Sequence, residues 1–136
     1  MIYNREIQIE FNHCDPAGIV FYPRYFEMTN SVIENFFADV VGRSFAVMHA
    51  TPGSGVPVVN IEAKFASPSR LGEKPLFALS IAKLGHSSAT FELVASSQET
   101  KRMQVTITVV WMENWKAHPW PAEMRKAMMH FMEPLS

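Results

Sequence analysis

A single cysteine, Cys14, is all that this 136-residue chain contains, so no intrachain disulfide can staple it and no cysteine-rich zinc site can form. The chain also lacks an excess of charge of either sign. Twelve Lys and Arg stand against 13 Asp and Glu, a formal net charge of −1, with neither a basic stripe of the kind that tracks nucleic acid nor an acidic tail. No stretch approaches the roughly 18 apolar residues of a membrane span. The opening Met1-Ile2-Tyr3-Asn4-Arg5-Glu6 shows no charged-then-apolar signal pattern. These absences make a cytoplasmic protein without membrane or nucleic-acid partners the expectation. Histidines occur at positions 13, 49, 86, 118 and 130 without metal-ligand spacing such as two residues four apart on a helix, so no metal site is expected.

What is present is apolar content, 48% of the residues, enough to bury a sizeable core in one domain spanning residues 1–136. Near the start, Ile7, Ile9 and Phe11 alternate with Glu6, Gln8 and Glu10, the period of a strand with one wet face. That strand delivers His13 and Asp15 to a turn. Pro16 biases Asp15 away from helical dihedrals, and Gly18 can take positive φ or let another molecule approach the backbone. Alternation puts His13 on the same side as Asp15 and Cys14 on the other, where a small buried side chain is expected. His13 reads equally well as a pocket-lining residue that helps orient the carboxylate and as a cap of the turn.

Over residues 22–41 apolar residues recur at Tyr22, Tyr25/Phe26, Thr29, Val32/Ile33, Phe36/Phe37 and Val40/Val41, which predicts an amphipathic helix starting at Pro23 and ending at Gly42. About 20 residues at roughly 1.5 Å each make a rod of about 30 Å. Tyr22, Tyr25 and Phe26 are expected in the core at the helix end that faces the site. Residues 43–55 read as a loop with a helical turn near 45–49. Alternating apolar faces then predict antiparallel strands over 58–66, 76–84, 88–97 and 103–112, joined by links too short for a crossover helix and therefore expected to be sequential neighbours. Pro119-Trp120-Pro121 breaks the pattern before a short C-terminal helix on Met124, Ala127/Met128 and Phe131. One helix about 10 Å wide covers only part of five strands, and the first and last strands leave edges open. A homo-oligomer is expected.

The run Cys14-Asp15-Pro16-Ala17-Gly18-Ile19-Val20-Phe21-Tyr22-Pro23-Arg24-Tyr25 closely resembles the opening of the 4-hydroxybenzoyl-CoA thioesterase family. The similarity extends through residues 65–73 and 83–91. The resemblance implies an α+β hot-dog fold, a five-stranded antiparallel sheet wrapped around one long helix. It implies an acyl-CoA thioesterase working without metal or cofactor, with its site between subunits and a coenzyme A (CoA) thioester as partner.

Thioester hydrolysis needs a carboxylate nucleophile or an activated water on one side of the carbonyl and an oxyanion donor on the other. The resemblance places Asp15 in the first role, as nucleophile or general base. The backbone N–H groups that open the helix, led by that of Tyr22, take the second. His13, Pro16 and Gly18 are the implied substrate contacts around them. In the turn after the third strand Lys83, His86, Ser87 and Ser88 are the implied CoA contacts, His86 standing where an arginine is more usual. Lys101, Arg102 and Lys116 are further surface-cation candidates. The acyl group, an aromatic benzoyl or hydroxybenzoyl among others, is left open. Two alternatives are an enoyl-thioester hydratase or dehydratase, disfavoured because Val20 stands where such hydratases carry His, and a non-catalytic acyl-CoA-binding protein.

Overall fold

A computed structural model describes residues 1–132. Five strands, β1 (Tyr3–Glu6), β2 (Val58–Phe65), β3 (Leu76–Leu84), β4 (Ser88–Ser97) and β5 (Thr100–Val110), form one antiparallel sheet in the order β1-β3-β4-β5-β2. Helix α1 (Pro23–Phe36) lies against it and continues as a π-helical turn, Phe37–Val41, that Gly42 ends at φ +81°. That left-handed geometry is one that glycine adopts without steric cost. The face of α1 that was legible in the sequence is the one buried: Tyr25, Met28, Thr29, Val32, Ile33 and Phe36. It meets Phe77, Leu79 and Ile81 of β3, Phe91 and Leu93 of β4, and Val105 and Ile107 of β5 in one core. Phe36 is the hub, edge-on to Tyr3, Phe37, Phe91 and Phe131.

The predicted turn after the helix is α2 (Phe45–Met48), its N-terminus capped by the Ser44 hydroxyl, which accepts from the Val47 N–H at 3.2 Å. A small hairpin, β6 (Met112–Glu113) and β7 (Lys116–Ala117), leads to α3 (Ala122–Met129), whose Met124 and Met128 are buried as expected.

Three expectations are corrected. The first strand pairs three to five residues earlier than the alternation suggested, at Tyr3–Glu6. Ile7 and Ile9 still donate to Pro75 and Glu73 carbonyls at 3.1 and 2.8 Å, but Pro75 has no N–H to return and the chain coils into a 3-10 turn, Phe11–His13. Phe11 is consequently 83% exposed.

The second correction concerns strand order. β2 and β3 are not neighbours: β2 pairs with β5, so the edges are β1 and β2 while the last strand, β5, is interior. No crossover helix is required, because the three strand spacings between β2 and β3 amount to only about 14 Å, well within reach of residues 66–75. Thirdly, Tyr22 is 59% exposed and outside the core, while Tyr25 is buried.

Candidate active site

The link 66–75 crosses the end of the sheet directly beneath the start of α1, and this crossing holds the Asp15 turn in place. Val20 donates to Ser69 O at 2.9 Å, Leu71 to Gly18 O at 3.1 Å and Gly72 to Ile9 O at 2.9 Å. Buried Ser69 also takes the Tyr25 hydroxyl at 2.9 Å. The link is itself anchored by a bidentate pair in which Arg102 Nη1 and Nη2 meet Glu73 Oε1 and Oε2 at 2.8 and 3.0 Å. Arg102 also donates to the Pro68 and Ser97 carbonyls. Its hydrogen bond, together with the Arg70 amide, holds the Glu73 carboxyl below the usual carboxylate range. Arg102 is 6% exposed, a structural cation and no surface contact for a phosphate.

Within the turn the chain doubles back: Cys14 bridges Val20, Asp15 N donates to Ile19 O at 3.0 Å, and Gly18 N donates to Asp15 O at 3.0 Å. Gly18 sits at φ +79°, which accounts for glycine there. Asp15 is half-buried, its Oδ1 accepts the Ala17 N–H at 2.9 Å, and it lines a depression of about 490 Å³. Pro16, Gly18, Phe11, Cys14 and Leu71 complete the lining. Burial, and after it the neighbouring Asp15 charge, raises the Cys14 thiol pKa. The thiol donates weakly to Glu10 O at 3.6 Å. A thiol held protonated is a poor nucleophile. Val20, bridged to Cys14, is buried.

At the helix start most amides are already used. Phe21 N donates to His13 O at 2.9 Å, Arg24 N to Phe21 O at 2.9 Å and Tyr25 N to Tyr22 O at 3.1 Å, while Pro23 has no N–H. Among the described residues, the Tyr22 N–H meets no intrachain acceptor. The expected set of helix-start donors thus narrows to one amide. The Tyr22 ring borders a second depression, about 290 Å³, with Tyr25, Phe65 and Ser67 among its lining. Phe65 stands among Tyr22, Tyr25 and Phe26 at centroid distances of 6.1, 5.8 and 6.3 Å. Asp15 and the Tyr22 ring line separate depressions of the chain, bordered by the adjacent residues Gly18 and Ile19.

His13 lies elsewhere than alternation suggested, because a 3-10 turn has three residues per turn where a strand has two. Its Nδ1 accepts the Glu10 N–H at 2.8 Å, and its ring lines a groove with Arg5, Glu10, Glu27 and Ser31, apart from the Asp15 depression. The predicted CoA turn is also distant in the chain's own terms. His86 faces a depression of about 460 Å³ with Pro119, Trp120 and Arg125. The turn is held by Trp111 N to Ser87 O at 2.7 Å and Trp120 Nε1 to Ser88 O at 3.0 Å, and Lys83 is exposed beside it. Arg125 donates to Gly85 O at 2.8 Å. Sequence reasoning missed this cation, since nothing in the α3 pattern shows that the helix returns to residues 85–88. Lys101 is bonded to Gln104 at 2.9 Å and Lys116 is exposed on β7. Among the described residues no three His, Cys, Asp or Glu side chains cluster to hold a metal ion, and no helix is long and apolar enough to cross a membrane.

Comparison with known proteins adds a family. The description "Thioesterase superfamily" matches residues 17–104, which takes in α1 and most of the sheet but begins two residues after Asp15. No curated protein sequence shows a significant match. Among solved structures, a gentisyl-coenzyme A thioesterase superposes at TM-score 0.85 with 24% identity, covering 93% of this chain and 99% of its own. A 1,4-dihydroxy-2-naphthoyl-CoA thioesterase from Synechocystis gives TM-score 0.85 and 18% identity over 98% of this chain and 100% of its own. An Asp-to-Asn mutant of 4-hydroxybenzoyl CoA thioesterase, complexed with 4-hydroxybenzoyl CoA, gives 0.81 and 20% over 93% and 98%. Those superpositions establish the hot-dog fold. With the family match across most of the chain, this protein belongs to the thioesterase superfamily and is a thioester hydrolase.

Proposed function

We propose that the protein hydrolyses an aromatic acyl-CoA to the free acid and CoA, with Asp15 as the acting carboxylate and the Tyr22 N–H as oxyanion donor. The observation that carries this reading is the pairing, on one short hairpin, of a carboxylate with a free oxygen and an amide with no acceptor. The thioester carbonyl carbon is attacked by water that Asp15 deprotonates, or by Asp15 itself followed by water. The carbonyl oxygen gains negative charge and takes the Tyr22 N–H, the C–S bond breaks, and CoA leaves as thiol. The rings around Phe65 offer a flat apolar wall for an aromatic acyl group. Three similar structures act, by name, on gentisyl, dihydroxynaphthoyl and hydroxybenzoyl thioesters, which supports that choice.

A second copy completes the site. On the core face of the sheet Ile61 pairs with Ile107 and Phe65 with Met103. Ile107 and Met103 are buried, whereas Ile61 and Phe65 are 40% and 48% exposed, although Tyr25 and Phe26 of α1 meet the Phe65 ring. Covering that row is what a partner copy would do. Pro16 and Gly18 then contact the substrate beside Asp15, while Lys83, His86, Ser87 and Ser88 meet the CoA arm.

The test is hydrolysis of a panel of aromatic and aliphatic acyl-CoAs, read by release of free thiol. Benzoyl-type thioesters should be cleaved fastest. Asp15→Asn should lose at least about a hundredfold in kcat while still binding CoA. An Asp15→Asn protein as fast as the parent would remove Asp15 from the chemistry.

A further inference from the structure

His13 joins the two halves of the proposed site through hydrogen bonds made by three of its atoms. Its ring Nδ1 accepts the Glu10 N–H at 2.8 Å, its own N–H donates to Glu10 O at 2.9 Å, and its carbonyl accepts the Phe21 N–H at 2.9 Å. The His13 ring thus takes the amide of the residue three before it, which is one arm of a capping box. In such boxes the third residue is usually Glu or Gln, whose oxygen reaches back to the first residue's amide. Here an imidazole nitrogen does so, and it can accept only while that nitrogen carries no proton.

The consequences run both ways along the chain. Two residues later comes Asp15, whose backbone is tied to Ile19 within the same hairpin. Across the hairpin, the His13 carbonyl consumes the Phe21 amide and so leaves the next one, that of Tyr22, as the amide without an acceptor. A rotation of the 10–13 turn would shift the carboxylate relative to the amide donor.

We propose that His13 is a positioning residue, its unprotonated Nδ1 locking the Glu10–His13 turn so that Asp15 and the Tyr22 N–H keep their relative placement. It does not touch substrate. This rests on the assignment of Asp15 and Tyr22 above, and it extends that assignment to a residue outside both depressions.

The experiment compares His13→Leu and His13→Gln with the parent and with Asp15→Asn, using whichever acyl-CoA of the panel the parent hydrolyses fastest. His13→Leu removes the acceptor, and because misplacement of reacting groups by about 1 Å costs up to about a hundredfold, kcat should fall about tenfold to a hundredfold. KM and the Kd for free CoA should stay within about twofold. His13→Gln, which restores an oxygen acceptor at the third position of the box, should recover most of kcat. Thermal melts of both variants separate misfolding from misplacement.

Unchanged kcat in His13→Leu, with Asp15→Asn dead, overturns the inference and leaves the Asp15 assignment standing. Failure of His13→Gln to exceed His13→Leu, or loss of CoA binding in step with kcat, also overturns it. An active Asp15→Asn takes down both.

Discussion

The proposed oxyanion donor is a main-chain group, and that makes an unusual pair of substitutions informative. Tyr22→Phe keeps the N–H and the ring, so thioester hydrolysis should stay within about threefold of the parent. Tyr22→Pro deletes the N–H at a residue whose φ is −53°, a value proline favours. Its kcat should drop about a hundredfold to a thousandfold, with circular dichroism confirming the fold; equal loss in both variants would point to the ring. At this scale the turn at Asp15 was legible in the sequence because Asp-Pro-x-Gly constrains its own backbone. Side-chain direction was not. Counting two residues per turn through Phe11–His13 put His13 beside Asp15, and only the 3-10 coil shows that the imidazole turns back to Glu10.

Between elements, the buried pair of Glu73 and Arg102 ties the link 66–75 to the start of β5, with side chains 17% and 7% exposed. Glu73→Gln leaves the guanidinium without its counter-charge and should cost about 3 kcal/mol in urea unfolding. The pH dependence follows from the direction of the shift. The folded Glu73 carboxyl titrates below its unfolded value, so its stabilisation is complete above about pH 4.3 and is lost as the pH falls through the lower folded value. Parent stability should therefore decline more steeply in acid than that of Glu73→Gln, and parallel pH profiles would show that the pair is not responsible. Strand and helix spans were readable because each depends on local period, and β3, β4, α1 and α3 fall where the periods put them. The crossing of 66–75 was not readable, since loop length alone permits a neighbour or a jump, and the choice depends on which strands pair best around α1.

For the molecule as a whole, the exposed apolar row on β2 is the surface a second copy would cover, and in the proposed site assembly and activity stand or fall together. Light scattering should give a dimer or a multiple of it. Ile61→Lys, which places a charge in that row, should shift the mass toward monomer and lower hydrolysis in parallel; a fully active monomer would show that one chain holds a complete site. The sequence by itself determined the five strands of the main sheet, the single long helix, the Asp15 turn and the sheet area left uncovered, because each is fixed by residues near one another in the chain. Only the tertiary structure decided the strand order, the burial of Arg102, the arrival of Arg125 at the turn 85–88 and the direction of the His13 ring. Those depend on which distant segments share a surface, and free energy gained across such contacts leaves no periodic trace in the order of the residues.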